Sequence, residues 1–259
     1  MNIKDAFINR KAFISFITCG DPTLETTEKL LPIMEENGVD LIELGIPFSD
    51  PTAEGPVIQE ANIRALSGGV TTDKIFDMVR RVRPKVHVPL VFMTYANVVF
   101  SYGIERFAKT CSEIGINGII LPDVPFEEKH EFSDIFDNMG VEFISLVAPT
   151  SDDRTVMIAE QAKGFVYCVS SLGVTGTRAD ISDSISGIVE QVKRTSSVPA
   201  AVGFGISTPE QAAHIAQYAD GIIIGSAIVK LIAKHGEQSE TAVGEFCSGI
   251  RRALSAVSD

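Results

Sequence analysis

The chain has 259 residues, is 45% hydrophobic and 22% charged, and carries a net charge of −12. That length suits one α/β barrel domain over residues 1–259, and the composition excludes disordered or low-complexity architectures. A net anion without a basic patch excludes a nucleic-acid partner, and the longest apolar stretches, such as 221–229, fall far short of the roughly 20 residues a membrane span needs.

Residues 12–20 follow Arg10 and Lys11 and loosely imitate a signal peptide. Asp5 lies in the would-be basic region, however, and no small-x-small cleavage site follows, so a first buried strand is the better reading. That strand, at 13–19, opens a series of apolar runs at 41–46, 90–94, 118–121, 141–147, 165–170, 200–204 and 221–224. Several are continuously hydrophobic, as strands buried on both faces of a parallel sheet are. Between them the spacing predicts helices over 23–37, 72–83, 104–114, 127–139, 152–162, 185–194, 208–218 and 240–256. In the second of these, Ile75, Met78, Val79 and Val82 recur at helical spacing before Pro84.

Eight strands with helices between them is the count of a (β/α)8 TIM barrel, expected here with an additional N-terminal helix. An open doubly wound sheet competes, but it usually has fewer strands, and no G-x-G-x-x-G turn follows the first run. The two longest intervals follow the second and sixth runs. Inserts at the C-terminal ends of barrel strands are where chemistry and lids reside, so these two are the places to look for a site. Cys19, Cys111, Cys168 and Cys247 are scattered without metal-ligand spacing, as in reduced thiols of a cytoplasmic protein.

The second run holds Glu43, on one face with Leu41 and Gly45 and opposite Ile42, Leu44 and Ile46. Burying a carboxylate there raises its pKa and suits a group that both gives and takes a proton near neutral pH. The bland alternative is a core glutamate held by an arginine or lysine. Glu54 follows in a loop stiffened by Pro47, Pro51 and Pro56, as a second acid at the same mouth or a solvated surface residue.

Glycine turns follow the last three runs, at 173–178, 203–207 and 225–230. They allow close backbone approach and lead toward helix N-termini, which favour a phosphate over plain tight turns. The polar stretch 173–184 reads as a lid, with Thr175 a hydrogen-bond partner for a catalytic acid when the lid is shut. His87, His130, His214 and His235 fall away from strand C-termini and take no role, and no metal is assigned.

The motif Glu43-Leu-Gly-Ile-Pro-Phe-Ser-Asp-Pro51 followed by Ala53-Glu-Gly-Pro-Val-Ile-Gln59 resembles the signature of the tryptophan synthase α subunit family. Thr18-Cys-Gly-Asp-Pro22, Met93-Thr-Tyr-Ala-Asn97, Leu121-Pro-Asp-Val-Pro125, Gly173-Val-Thr-Gly176, Gly203-Phe-Gly-Ile-Ser207 and Gly225-Ser-Ala-Ile-Val229 match in family order over nearly the whole chain. The resemblance implies aldol cleavage of indole-3-glycerol phosphate to indole and glyceraldehyde 3-phosphate, with no cofactor or metal. The partner it implies is a PLP-dependent β subunit in an α2β2 complex.

By motif, Glu43 is the general acid/base, and Glu54 takes the place of a carboxylate that bonds the indole N–H. The family usually has Asp at that position, so the carboxylate here sits about one C–C bond further from the backbone. Tyr167 matches a tyrosine beside the glycerol chain. Phe16, Ile58, Met93, Tyr95, Ile120, Phe204 and Ile223 match the indole pocket. Gly176, Gly205, Gly225 and Ser226 match the phosphate cradle, and Asp123 and residues 47–50 match loops facing the β subunit. Two other readings are a regulatory α-like subunit with weak catalysis of its own, and another phosphosugar barrel such as a biosynthetic isomerase. The Glu43 motif and the Phe-rich pocket argue against the latter.

Overall fold

The apolar runs pair side by side as a parallel sheet in the computed structural model, which describes residues 2–149, 152–169, 178–203 and 205–257. The strands are β1 (Ala12–Thr18), β2 (Leu41–Gly45), β3 (Leu90–Met93), β4 (Gly118–Ile120), β5 (Glu142–Phe143), β6 (Ser145–Val147), β7 (Val166–Val169), β8 (Ala200–Gly203) and β9 (Gly221–Ile224). Their order is β5-β4-β3-β2-β1-β9-β8-β7-β6, and every pairing is parallel.

The two ends of that order, β5 and β6, are separated only by Ile144, whose N–H donates to the Ile119 carbonyl at 2.9 Å. The sheet therefore closes on itself as a TIM barrel, and the nine short strands are eight barrel staves with the fifth interrupted at Ile144. Closure leaves no edge strand to pair with another chain.

Alternate residues of each strand feed two cores. Ile14, Leu41, Val91, Ile120, Ala201 and Ile223 fill the barrel interior. Phe13, Ile17, Ile42, Leu44 and Phe92 face the surrounding helices. Both faces of β1 and β2 are buried throughout, which is why these runs show no polar alternation in the sequence.

The helices are α1 (Leu24–Glu36), α2 (Pro56–Ser67), α3 (Thr72–Val82), α4 (Ala96–Tyr102), α5 (Ile104–Glu113), α6 (His130–Asn138), α7 (Asp152–Glu160), α8 (Arg178–Thr195), α9 (Pro209–Ala216), α10 (Ser226–His235) and α11 (Glu240–Ser255). Local chemistry sets their ends. The Thr71 hydroxyl accepts from the Lys74 N–H to start α3, and Thr208 with Gln211 forms a capping box at α9. No helix among the described residues is long and apolar enough to cross a membrane.

Four expectations change. The N-terminal helix is a short 3₁₀ segment, Ile3–Phe7, whose Ile3 and Ala6 plug the bottom of the barrel against Phe165. The insert after β2 contains α2, which a Gly55–Pro56 start hides behind loop composition. The short helix α4, likewise unexpected, follows β3. Helix α8 begins at Arg178, so the backbone of 178–184 is helical rather than part of the lid. The remainder of the expected lid lies outside the described residues.

Candidate active site

The C-terminal ends of the strands form the mouth of the barrel. Glu43 points inward from β2, in register with Phe16 on β1 and Val91 on β3. It is fully buried, and neither carboxyl oxygen has a hydrogen-bond partner among the described residues. The basic residue that a structural glutamate would need is thus not bonded to it. Burial pushes its pKa up to about 8, so the resting group is the neutral acid near pH 7. Tyr167 on β7 faces it across the interior. Burial, and after it the charge of Glu43, holds the Tyr167 phenol well above its ordinary range. A Cβ at Gly203 on the neighbouring strand would lie 2.6 Å from the Tyr167 hydroxyl, so glycine there makes room for the ring.

The loop after β2 is fastened at three points. The Tyr95 hydroxyl accepts a hydrogen bond from the Ala53 N–H at 3.0 Å, and its ring stacks near Phe48 at 5.2 Å. Gln59 on α2 donates to the Glu54 carbonyl at 2.8 Å, and Asn62 on α2 donates to the Glu54 carboxylate at 2.6 Å. Arg64 and the buried Asp21 form a two-pronged ion pair at 2.7 and 2.8 Å that ties α2 to the loop after β1.

Burial pushes the pKa of Glu54 up to about 7, while the Asn62 bond works against that rise. Asn62 was not singled out in the sequence. Its signal is a position eight residues after Glu54, which reads as a partner once α2 is known. The structure gives Tyr95 the task of holding this loop, in addition to any part it takes in the pocket.

The expected indole-pocket residues divide between two adjoining clusters. Phe16 and Ile58 pack with Ala61 and Val229 at the mouth, and Ile120 and Ile223 belong to the barrel interior, where Tyr167, expected beside the glycerol chain, also packs. Met93 touches both. A cavity of about 340 Å³ opens beside them, with Ala53, Met93, Leu121, Leu146, Tyr167 and Val169 in its wall. That volume suits a small ring system. Phe204, Thr175 and Gly176 lie outside the described residues.

Gly205 has a left-handed φ of +41°, and a Cβ added there would meet nothing within 4 Å. Gly225 caps α10 with no side-chain hydrogen bond, and the first turn of α10, starting at Ser226, holds no acidic residue. The start of α9 differs, because Thr208 and Gln211 satisfy it internally. Of these two helices at the mouth, α10 keeps its terminal N–H groups free of a side-chain cap for an anion. All four cysteines are buried free thiols, whose pKa burial raises.

The family described as "Tryptophan synthase alpha chain" matches residues 4–256. The tryptophan synthase alpha chain of Lacticaseibacillus casei is 46% identical over 254 residues, covering 98% of this chain and 96% of its own. That of Thermoanaerobacter pseudethanolicus is 49% identical over 247 residues, covering 95% and 94%. Among solved structures, tryptophan synthase subunit alpha from Legionella pneumophila superposes with a TM-score of 0.90 at 37% identity, covering 99% of both chains. A chain of tryptophan synthase from M. tuberculosis in an aminoacrylate- and BRD0059-bound form gives 0.86 at 31% identity, covering 97% and 96%.

Proposed function

Because this chain belongs to the tryptophan synthase alpha chain family, we propose that its barrel mouth works with Glu43 as proton shuttle, Glu54 as charge stabiliser and the start of α10 as phosphate holder. The reaction is the cleavage of indole-3-glycerol phosphate to indole and glyceraldehyde 3-phosphate, a lyase step of tryptophan biosynthesis.

Protonated Glu43 gives its proton to indole C3, which places positive charge on the ring nitrogen. The Glu54 carboxylate, held by Asn62, accepts a hydrogen bond from the indole N–H and stabilises that charge. Glu43, now a carboxylate, takes the proton of the hydroxyl on the carbon attached to C3. The C–C bond then breaks, its electron pair restores the aromatic ring, and the oxygen becomes the aldehyde carbonyl. Glu43 ends protonated, ready for the next substrate, so no external proton donor is consumed.

Phe16, Ile58, Met93, Ile120, Phe204 and Ile223 surround the indole ring, with Tyr95 setting the loop at its edge. Tyr167 lies beside the glycerol chain, and Thr175 meets a catalytic acid as the site closes. Gly176, Gly205, Gly225 and Ser226 surround the phosphate. Backbone N–H groups do the holding, which lets a chain of charge −12 bind a phosphate. Family membership implies a β-subunit partner, and we place the chain in a cytoplasmic α2β2 complex as one domain over 1–259. The four free thiols fit a reducing compartment.

The buried, unpartnered carboxyl of Glu43 carries this reading. Its test is Glu43→Gln assayed for indole release with the β subunit present. The expected loss is about 10³-fold or more; cleavage within tenfold of the wild-type rate, roughly 1.4 kcal/mol, would sink the mechanism.

A further inference from the structure

Thr18, the last residue of β1, is 1% exposed, yet its hydroxyl has no hydrogen-bond partner among the described residues. Buried hydroxyls nearly always find one. Its direction follows from the strand. Phe13, Ile17 and Cys19 join the outer core, whereas Ala12 and Ile14 join the barrel interior and Phe16 packs at the mouth. Thr18 therefore points inward, one step beyond Phe16.

Its register partner on β2 is Gly45, the next inward position after Glu43. The Thr18 hydroxyl and both Glu43 oxygens are thus buried, unpartnered polar atoms on adjacent strands facing one space. Ser15 supplies an internal contrast. Its hydroxyl is also buried and unpartnered, but it falls between Phe13 and Ile17 on the outer face. A β-strand gains nothing from threonine over valine at a buried position unless the hydroxyl has something to bond.

Resting on the reading of Glu43 given above, we propose that Thr18 is a substrate-binding residue whose hydroxyl hydrogen-bonds the glycerol chain of the substrate, beside the hydroxyl that Glu43 deprotonates. The bond forms only when substrate is present. The free protein bears the unmet group, and the substrate gains a contact to its polyol portion that a deoxygenated analogue cannot use.

The test is Thr18→Val, which keeps the shape and removes the hydroxyl. In the complex with the β subunit, kcat/KM for indole-3-glycerol phosphate falls about 10- to 100-fold. Binding of an analogue with both glycerol hydroxyls replaced by hydrogen changes less than about twofold, because that ligand never used the contact. The Tm stays equal or rises, and Thr18→Ser recovers most of the activity. Ser15→Ala leaves kcat/KM within about twofold of wild type, because its hydroxyl faces the helices.

Three results each overturn the proposal. In the first, Thr18→Val keeps kcat/KM within about twofold, less than one such bond is worth. In the second, it weakens the deoxygenated analogue as much as the substrate. In the third, its Tm falls while Thr18→Ser restores stability rather than affinity, which would make the hydroxyl structural. Failure of the Glu43 reading is seen separately, as retained cleavage by Glu43→Gln whatever Thr18→Val does.

Discussion

Asp40 stands just below β2 and Glu43 within it, toward the mouth, and the barrel treats their carboxyl groups in opposite ways. Asp40, just ahead of β2, is 6% exposed. It accepts the Phe13 N–H at 2.8 Å and an Arg10 bond at 3.1 Å, and it pairs with Arg251 of α11. Arg251 also donates to the Gly38 and Lys11 carbonyls. Glu43 is wholly buried and has no such partner among the described residues. Asp40 thus has its buried charge satisfied within the chain, while toward the mouth Glu43 and Thr18 hold polar atoms without partners among the described residues. Unpartnered atoms that face the barrel mouth, unlike the Ser15 hydroxyl on the outer side or the Glu142 Oε2 at the start of β5, lie where a ligand can meet them.

Breaking the lower end should produce the largest change in stability. Asp40→Ala removes the partner of a mostly buried guanidinium and should lower unfolding stability by about 3 kcal/mol. Urea denaturation reads this directly, and kcat per folded molecule should be unchanged. A matching fall in kcat would join the two ends functionally and spoil the contrast.

At the upper end, Glu54→Gln should lower kcat about 100-fold, whereas Glu54→Asp should retain most of it. Steady-state indole release measures both, and equal activity of the Gln variant would remove Glu54 from the mechanism.

A smaller effect concerns the stability that Glu43 withholds. Its folded pKa of about 8 lies above its unfolded value. Its stabilising contribution is therefore complete below the unfolded pKa and is lost as pH rises through about 8. Glu43→Gln lacks this loss. Its Tm advantage over wild type should be slight at acid pH and should widen by a few degrees toward pH 8 and above. A constant difference across that range would mean that Glu43 is not titrating in the folded protein.

The frame was legible because burial on both faces writes itself as continuous apolar runs, and Glu43 stood out as a charge in the middle of such a run, whereas Glu142 lies near the edge of its own. The runs at 200–204 and 221–224 foretold β8 and β9 to within a residue. The interruption at Ile144 was not visible, because both pieces of the fifth stave are equally apolar-rich. Helix α2 escaped because its glycine and proline start looks like loop, and with it went Asn62 as the partner of Glu54. The Tyr95–Ala53 bond joins positions far apart in the chain, a relation no local pattern encodes. Thr18 stayed hidden for another reason: β-branched residues are ordinary in strands, and only the absence of a partner in three dimensions sets its hydroxyl apart.

The plug made by Ile3 and Ala6 at the bottom of the barrel turns the interior into a blind alley. Among the described residues, the space beside Glu43 is then reached from the mouth alone. Whatever fills that mouth also shuts water away from Glu43, so filling the site and drying its carboxyl are one event.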